Sequence, residues 1–237
     1  CENNIKPIKN IDFDVIFIDE AQDLDLILCT FLNKIINDIF NCKKVYPQLV
    51  FIGDELQQIY GFKSSDSKYF LNANEYFNNN KNTWISFVLY TTFRFNVKHA
   101  TYINNLYGKN IIKSNLITNL DVISIKDKEE DTLINFVFND IMEKINNGSF
   151  YDNFFVIAPS IKYRNSLIKK IENKLVFDNI PCFHTLTEHD ELNYYYIKNK
   201  IVFTTFHQTK GLERDYVYVI LYNKDEKMEN SLYVACT

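Results

Sequence analysis

The apolar positions of this chain fall into short unbroken runs set between longer stretches of helical spacing. "FDVIFID" and "QLVFIGD" are continuous rather than alternating, which is the pattern of strands buried on both faces of a parallel sheet. Between them, Leu24, Ile27, Leu28, Phe31, Ile35 and Ile39 recur at helical spacing, predicting a helix from Leu24 to Phe40. A polar tract, "NANEYFNNNKN", then precedes a third apolar run, "WISFVLYTTF", read as a strand, and a helix from about Val97 to Tyr107. The alternation continues with "LDVISI" as a strand, Glu129 to Asn146 as a helix closed by "NNGS", and "NFFVIAP" as a strand. Tyr163 to Leu175 reads as a helix, and "KIVFTTF" and "YVYVILY" as strands. Strands alternating with helices imply right-handed crossovers and parallel sheets with flanking helices, an α/β fold. Ligands in such folds sit beyond the carboxyl ends of the strands. The polar tract is the best linker, which puts a boundary near residues 84 to 89.

Composition narrows the class. With 237 residues and 46% hydrophobic content the chain can bury one large core or two small ones. No window approaches the roughly 18 uninterrupted apolar residues of a membrane helix, and "CENNIKPIKN" has no apolar signal core. Five cysteines without CxxC spacing read as reduced thiols of an intracellular protein. A net charge of −4 excludes a generally basic nucleic-acid coat and leaves room for a local basic groove. Arg94, Arg164 and Arg214 are the only arginines, and Gly53, Gly61 and Gly211 are three of only five glycines.

Four stretches carry chemistry. In "VIFIDEAQDLD", Asp19 and Glu20 follow four apolar strand residues, so both carboxylates stand at a strand's C-terminal edge. That place suits an acid holding Mg²⁺ and a neighbour acting as general base toward water. It equally suits acids that begin a helix at its positive dipole end. "FIGDELQQIYGF" repeats the strand-then-acid logic. Gln57 or Gln58 there could hydrogen-bond a terminal phosphate, and Tyr60 and Phe62 either stack on nucleobases or join the core. In "TTFRFN", Arg94 follows an apolar run and precedes a helix; it is either a finger for a γ-phosphate or a surface ion pair. In "TTFHQTKGLERDYVYVI", a strand ends in Thr204 and Thr205, and His207, Thr209, Lys210, Gly211 and Glu213 then crowd one turn, suiting contacts to phosphates and sugars, with His207 by itself reading as a structural histidine rather than a catalytic one. His99, His184 and His189 lack metal spacing.

In this order the stretches resemble the UvrD/Rep/PcrA group of superfamily 1 helicases. "IDEAQD" (18–23) resembles motif II, the Walker B element, and "IGDELQQIYGF" (52–62) resembles motif III. "TTFRF" (91–95) is similar to motif IV, "TTFHQTKGLE" (204–213) to motif V, and "LYVACT" (232–237) to the opening of motif VI. The resemblance implies residues 1–88 as the C-terminal part of one RecA-like lobe and 89–237 as a second. It also implies ATP-driven 3′-to-5′ movement on single-stranded DNA with unwinding of duplex DNA, ATP and Mg²⁺ being the cofactors. On this resemblance Asp19 would bind Mg²⁺, Glu20 would activate water, and Gln57 would sense the γ-phosphate. Arg94 would reach that phosphate across a cleft between the lobes. Glu213 would hold the ribose, with Phe93, Lys210 and Gly211 on the nucleotide side. Tyr60, Phe62, Thr205 and His207 would meet DNA.

Departures from the group's pattern matter as well. No GxxxxGK[ST] loop occurs in the sequence, nor does the motif VI arginine, so the expectation is an internal piece that by itself neither hydrolyses ATP nor holds it tightly. Only about twenty residues, including "HTLTEHDELNYYYIKNK", separate "NIPCF" from the motif V strand, where relatives often insert a helical subdomain; a compact second lobe is expected. Two other readings stand beside the motor: a catalytically silent nucleic-acid-binding or scaffold module, and the helicase arm of a recombination helicase–nuclease.

Overall fold

The computed structural model describes residues 11–59, 65–77, 83–118, 121–126, 129–162, 166–185, 192–221 and 229–237. The chain divides into two compact units, Cys1–Val88 and Leu89–Thr237. Both are α/β with parallel strands and flanking helices, the architecture expected of RecA-like lobes.

In the first unit, β1 (Val15–Ile18) pairs in parallel with β2 (Gln48–Phe51), Ile16 opposite Leu49 and Ile18 opposite Phe51. Helix α1 (Leu26–Lys43) crosses between them, as a parallel pair requires. It starts where the Asp25 carboxylate accepts from Leu28 N–H at 2.7 Å and ends on Lys44 in the left-handed region. Two single-turn helices, α2 (Lys68–Leu71) and α3 (Ala73–Tyr76), contribute Tyr69, Ala73 and Phe77 to a core with Ala21, Leu24, Cys29, Leu32 and Ile36. Phe51 packs its ring against Phe77 and Trp84 at centroid distances of 5.0 and 5.7 Å.

Two expectations for this unit need correction. The strands are not buried on both faces: Phe13 is 59% and Phe17 68% exposed, because among the described residues α1 covers one face only. The inward stripe is only partly the expected one. Leu24 and Ile39 of the expected set are buried together with Cys29, Leu32 and Ile36, while Ile27, Leu28 and Phe31 of that set are exposed. An apolar residue on nearly every face lets two stripes satisfy helical spacing, and packing decides between them.

In the second unit, β5 (Phe154–Ala158), β6 (Cys182–His184), β7 (Ile201–Thr205) and β8 (Tyr216–Val219) form an all-parallel sheet in the order β6-β7-β5-β8. Every residue of β5 and β7 is buried. On one face α5 (Glu130–Asn146) and α6 (Leu167–Phe177) bring Ile134, Val137, Phe138, Ile141, Ile168, Ile171 and Leu175 against Phe154, Val156 and Phe203. On the other, Ile197 of the short α7 (Tyr194–Ile197) and Phe206 pack on Phe155, Ile157 and Val202. Each large side chain buried here contributes roughly 1.5–3 kcal/mol. Between Thr185 and Ile201 the described residues hold α7 alone, so no large helical insertion is present among them; residues 186–191 lie outside the description.

A smaller parallel pair, β3 (Thr91–Thr92) with β4 (Lys113–Ser114), flanks α4 (Val97–Tyr107). Here two more expectations fail. Residues 84–90 of "WISFVLYTTF" form no strand, and Ile85, Phe87, Val88 and Leu89 are 63–93% exposed. In "LDVISI", residues 121–125 form no strand either, Leu120 lying outside the description. An apolar run becomes a strand only where a neighbour pairs with its backbone, and in "WISFVLYTTF" that pairing begins at Tyr90, whose C=O accepts from Lys113 N–H at 2.7 Å, and continues through Thr91–Thr92.

Candidate functional site

The first unit presents Asp19 and Glu20 directly beyond β1, both exposed. Glu20 takes left-handed backbone angles, φ 51°, uncommon for a residue with a Cβ. Its N–H donates to the Asp19 carboxylate at 2.9 Å, so the turn that strains the backbone also gives the amide a partner. Such strain costs on the order of 1–3 kcal/mol and persists where surrounding contacts over-determine it.

Those contacts run through Gln22, whose importance the sequence reading missed. Gln22 is fully buried. Its Nε2 donates to Glu20 Oε2 at 2.5 Å, and its Oε1 accepts from Asp54 N–H at 3.0 Å. One amide thereby ties the acid pair to the loop after β2. Ala21 N–H donates to Ile52 C=O at 2.9 Å, closing the same gap through the backbone. Gly53 leaves room for this bridge: a Cβ would stand 2.4 Å from Gln22 Oε1 and 3.2 Å from Ala21 N, so the amide would have to move. Asp54 then caps the following turn, accepting from Leu56 N–H at 3.0 Å and from Gln57 Nε2 at 3.3 Å. Gln57 is half-buried, while Gln58 donates to Ser65 C=O at 3.1 Å and serves the loop. Tyr60 and Phe62 lie outside the described residues.

The second unit gathers a separate set. Thr91–Thr92 pairing with Lys113–Ser114 fixes the segment that leads into Arg94. Arg94 N–H donates to Thr92 Oγ1 at 3.2 Å, and Ser114 Oγ donates to Phe95 C=O at 2.6 Å. Asn96 then caps α4, accepting from His99 N–H at 2.9 Å. Phe93 is 81% exposed, its ring turned to solvent. Arg94 Nε stands 3.0 Å from Glu213 Oε2, and Arg94 Nη1 donates to the backbone oxygen of Thr237 at 2.8 Å. Residues of the motif IV-like and motif V-like stretches are thus in contact. Of the two roles open to Arg94 in the sequence, phosphate finger and surface ion pair, the structure contains an ion pair and does not bear on the first.

The loop from β7 is held by a second unforeseen amide. Gln208 Oε1 accepts from Thr185 Oγ1 and Thr204 Oγ1 at 2.8 Å each and from Thr205 Oγ1 at 3.2 Å. Thr185, Thr204, Thr205 and Thr209 are all buried. Thr205, expected on the DNA side, therefore has its hydroxyl turned inward, and it serves to stiffen the loop. His207 and Lys210 are half-buried on the one-turn α8 (Phe206–Thr209) and just after it. Gly211 has φ 79° with nothing near its Cβ position, so its requirement is conformational rather than spatial. Arg214, which no motif claimed, donates to Asp152 C=O and lies over the Phe155 ring at 5.2 Å, a structural role.

Three thiols are pushed up chiefly by burial, Cys29 and Cys236 to about 11 and Cys182 to about 12, so none is an activated nucleophile. Among the described residues no cluster of three or more His, Cys, Asp or Glu could hold a metal by protein ligands alone. The exposed Asp19–Glu20 pair still fits Mg²⁺, which is usually held by one or two carboxylates plus substrate phosphates and water.

Residues 7–78 match the model of the UvrD/REP helicase N-terminal domain. This segment is UvrD-like. It contains Asp19, Glu20, Gln22, Gly53, Asp54 and Gln57, so the bonded acid-and-amide set described above is the UvrD-like part of the molecule. No curated protein matches the chain. No helix among the described residues is long and apolar enough to cross a membrane.

Proposed function

We propose that the chain is part of an ATP-dependent 3′-to-5′ DNA helicase or translocase in which two RecA-like lobes, residues 1–88 and 89–237, use one ATP to drive movement on single-stranded DNA. The observation that carries this is the acid pair at the edge of a parallel strand, locked by Gln22 to the loop that bears Gln57. A surface cluster of acids has no need of a buried amide bridging it to a second strand end.

Asp19 is the residue that would hold Mg²⁺, through water. The ion, when bound, neutralises charge on the phosphate oxygens. Glu20, its carboxylate oriented by Gln22, accepts a proton from water as that water's oxygen bonds to the γ-phosphorus and the bond to the β-phosphate oxygen breaks. Gln57 donates to the γ-phosphate and loses that partner when the phosphate leaves. Arg94 supplies positive charge to the same oxygens, Glu213 accepts from ribose hydroxyls, and Phe93 offers its ring face to the base. Lys210 and Gly211 shape the adjoining turn. Tyr60, Phe62 and His207 contact the strand, the aromatics by stacking, with Thr205 bracing the loop from within. Nucleotide favours one arrangement of the lobes and its hydrolysis releases it, which is how a ligand with differential affinity shifts a population.

The DNA half is tested by fluorescence anisotropy of a labelled single strand with the chain and its Phe62→Ala variant. The stacking loss is expected at roughly 1–3 kcal/mol. Equal affinity would remove the stacking contact.

A further inference from the structure

We infer that the Arg94–Glu213 ion pair is a latch that polyphosphate must open, so that Glu213 restrains the arginine until nucleotide arrives. This rests on the reading of Arg94 as a phosphate ligand and adds a regulatory function to Glu213.

A guanidinium grips phosphate best through two nitrogens at once. In Arg94, Nε is engaged by Glu213 at 3.0 Å and Nη1 by the backbone oxygen of Thr237 at 2.8 Å. The Nε–Nη2 edge cannot grip a phosphate while the carboxylate occupies Nε. The two anions also compete for one positive charge. Both side chains are more than half exposed, at 58% and 72%, and a pair so open to water is weak enough for a polyanion to displace. Once displaced, the Glu213 carboxylate is released to accept from a sugar hydroxyl, so opening the latch prepares both contacts together. An exposed pair contributes up to about 1 kcal/mol, so its restraint on phosphate binding is at most about fivefold.

The scarcity of arginine gives a direct readout. With three arginines in the chain, an arginine Nε–Hε correlation spectrum has three side-chain signals, and Arg94→Lys assigns the one concerned. Inorganic tripolyphosphate is titrated into the 237-residue chain and into its Glu213→Gln variant. Glu213 is exposed, so the variant keeps the fold. Expected results are that Glu213→Gln alone moves the Arg94 signal, and that the tripolyphosphate dissociation constant read from it falls two- to fivefold. Asp215→Asn removes the same charge two residues away and is expected to change that constant much less. An Arg94 signal identical in wild type and Glu213→Gln, or equal dissociation constants, would overturn the latch and leave the phosphate assignment standing. A signal that tripolyphosphate moves in neither protein would overturn both.

Discussion

The two units treat their parallel strands differently. In the second, β5 and β7 are buried along their whole length by helices on both faces. Among the described residues of the first, β1 and β2 are covered by α1 on one face, leaving Phe13, Val15 and Phe17 exposed, and α1 itself exposes Leu26, Ile27, Leu28 and Phe31. Parallel sheets are ordinarily covered on both faces. The second unit has a core on both sides of its sheet, and the described residues of the first have a core on one side together with hydrogen bonds that join the strand ends. The acid pair sits at those joined strand ends, where the bridge is made by the fully buried Gln22.

Truncating one residue in each sheet gives the largest contrast. Phe203→Ala, at 1% exposure in the middle of β7, is expected to cost roughly 3–5 kcal/mol in denaturant unfolding. Phe17→Ser is expected to stay within about 0.5 kcal/mol and to improve solubility. Equal losses would mean that the β1 face is covered in solution.

Next in size is Gly53→Ala. The added methyl group displaces the Gln22 amide oxygen, which breaks the bond to Asp54 N–H and loosens the hold on Glu20. The expected cost is about 1–3 kcal/mol, confined to the first unit and visible as faster hydrogen exchange at Asp54. Unchanged exchange would show that the amide does not bridge the two loops.

The smallest effect is acid sensitivity of the second unit. Burial pushes His99 below its ordinary value, opposed by a hydrogen bond with the Cys236 backbone. The folded state therefore binds fewer protons than the unfolded chain as pH falls through the unfolded value of about 6.5. Stability from this group is fully present above that pH and declines below it. His99→Gln is expected to flatten the decline between pH 7 and 5 in thermal melts of the second unit, and an unaltered slope would assign it to other groups.

Much of the second unit is legible in the sequence, since "NFFVIAP" and "KIVFTTF" are short apolar runs that do become buried strands, and the helix at Val97–Tyr107 has both its Asn96 cap and its Gly108 stop in the text. "WISFVLY" and "LDVISI" mislead because strand formation depends on a partner the local sequence does not specify. The inward stripe of α1 is undetermined for a related reason: apolar residues lie on both sides of it. Asp19, Glu20 and Gln57 are recognisable by chemical type and place, but Gln22 and Gln208 are plain amides whose role depends on what lies across from them. Gly53 was the available signal for Gln22, since a scarce glycine beside a strand end implies a close approach. Nothing local could pair Arg94 with Glu213.

The most direct test of the motor is single-strand-stimulated ATP hydrolysis by the product of the whole reading frame that encodes this chain, compared with its Glu20→Gln and Arg94→Ala variants. The expected result is that both variants still bind single-stranded DNA, while Glu20→Gln abolishes turnover and Arg94→Ala lowers it by roughly 10³-fold or more, the scale of a lost arginine finger. Turnover by Arg94→Ala at the wild-type rate would contradict the assignment of the acid pair and this arginine to one ATP.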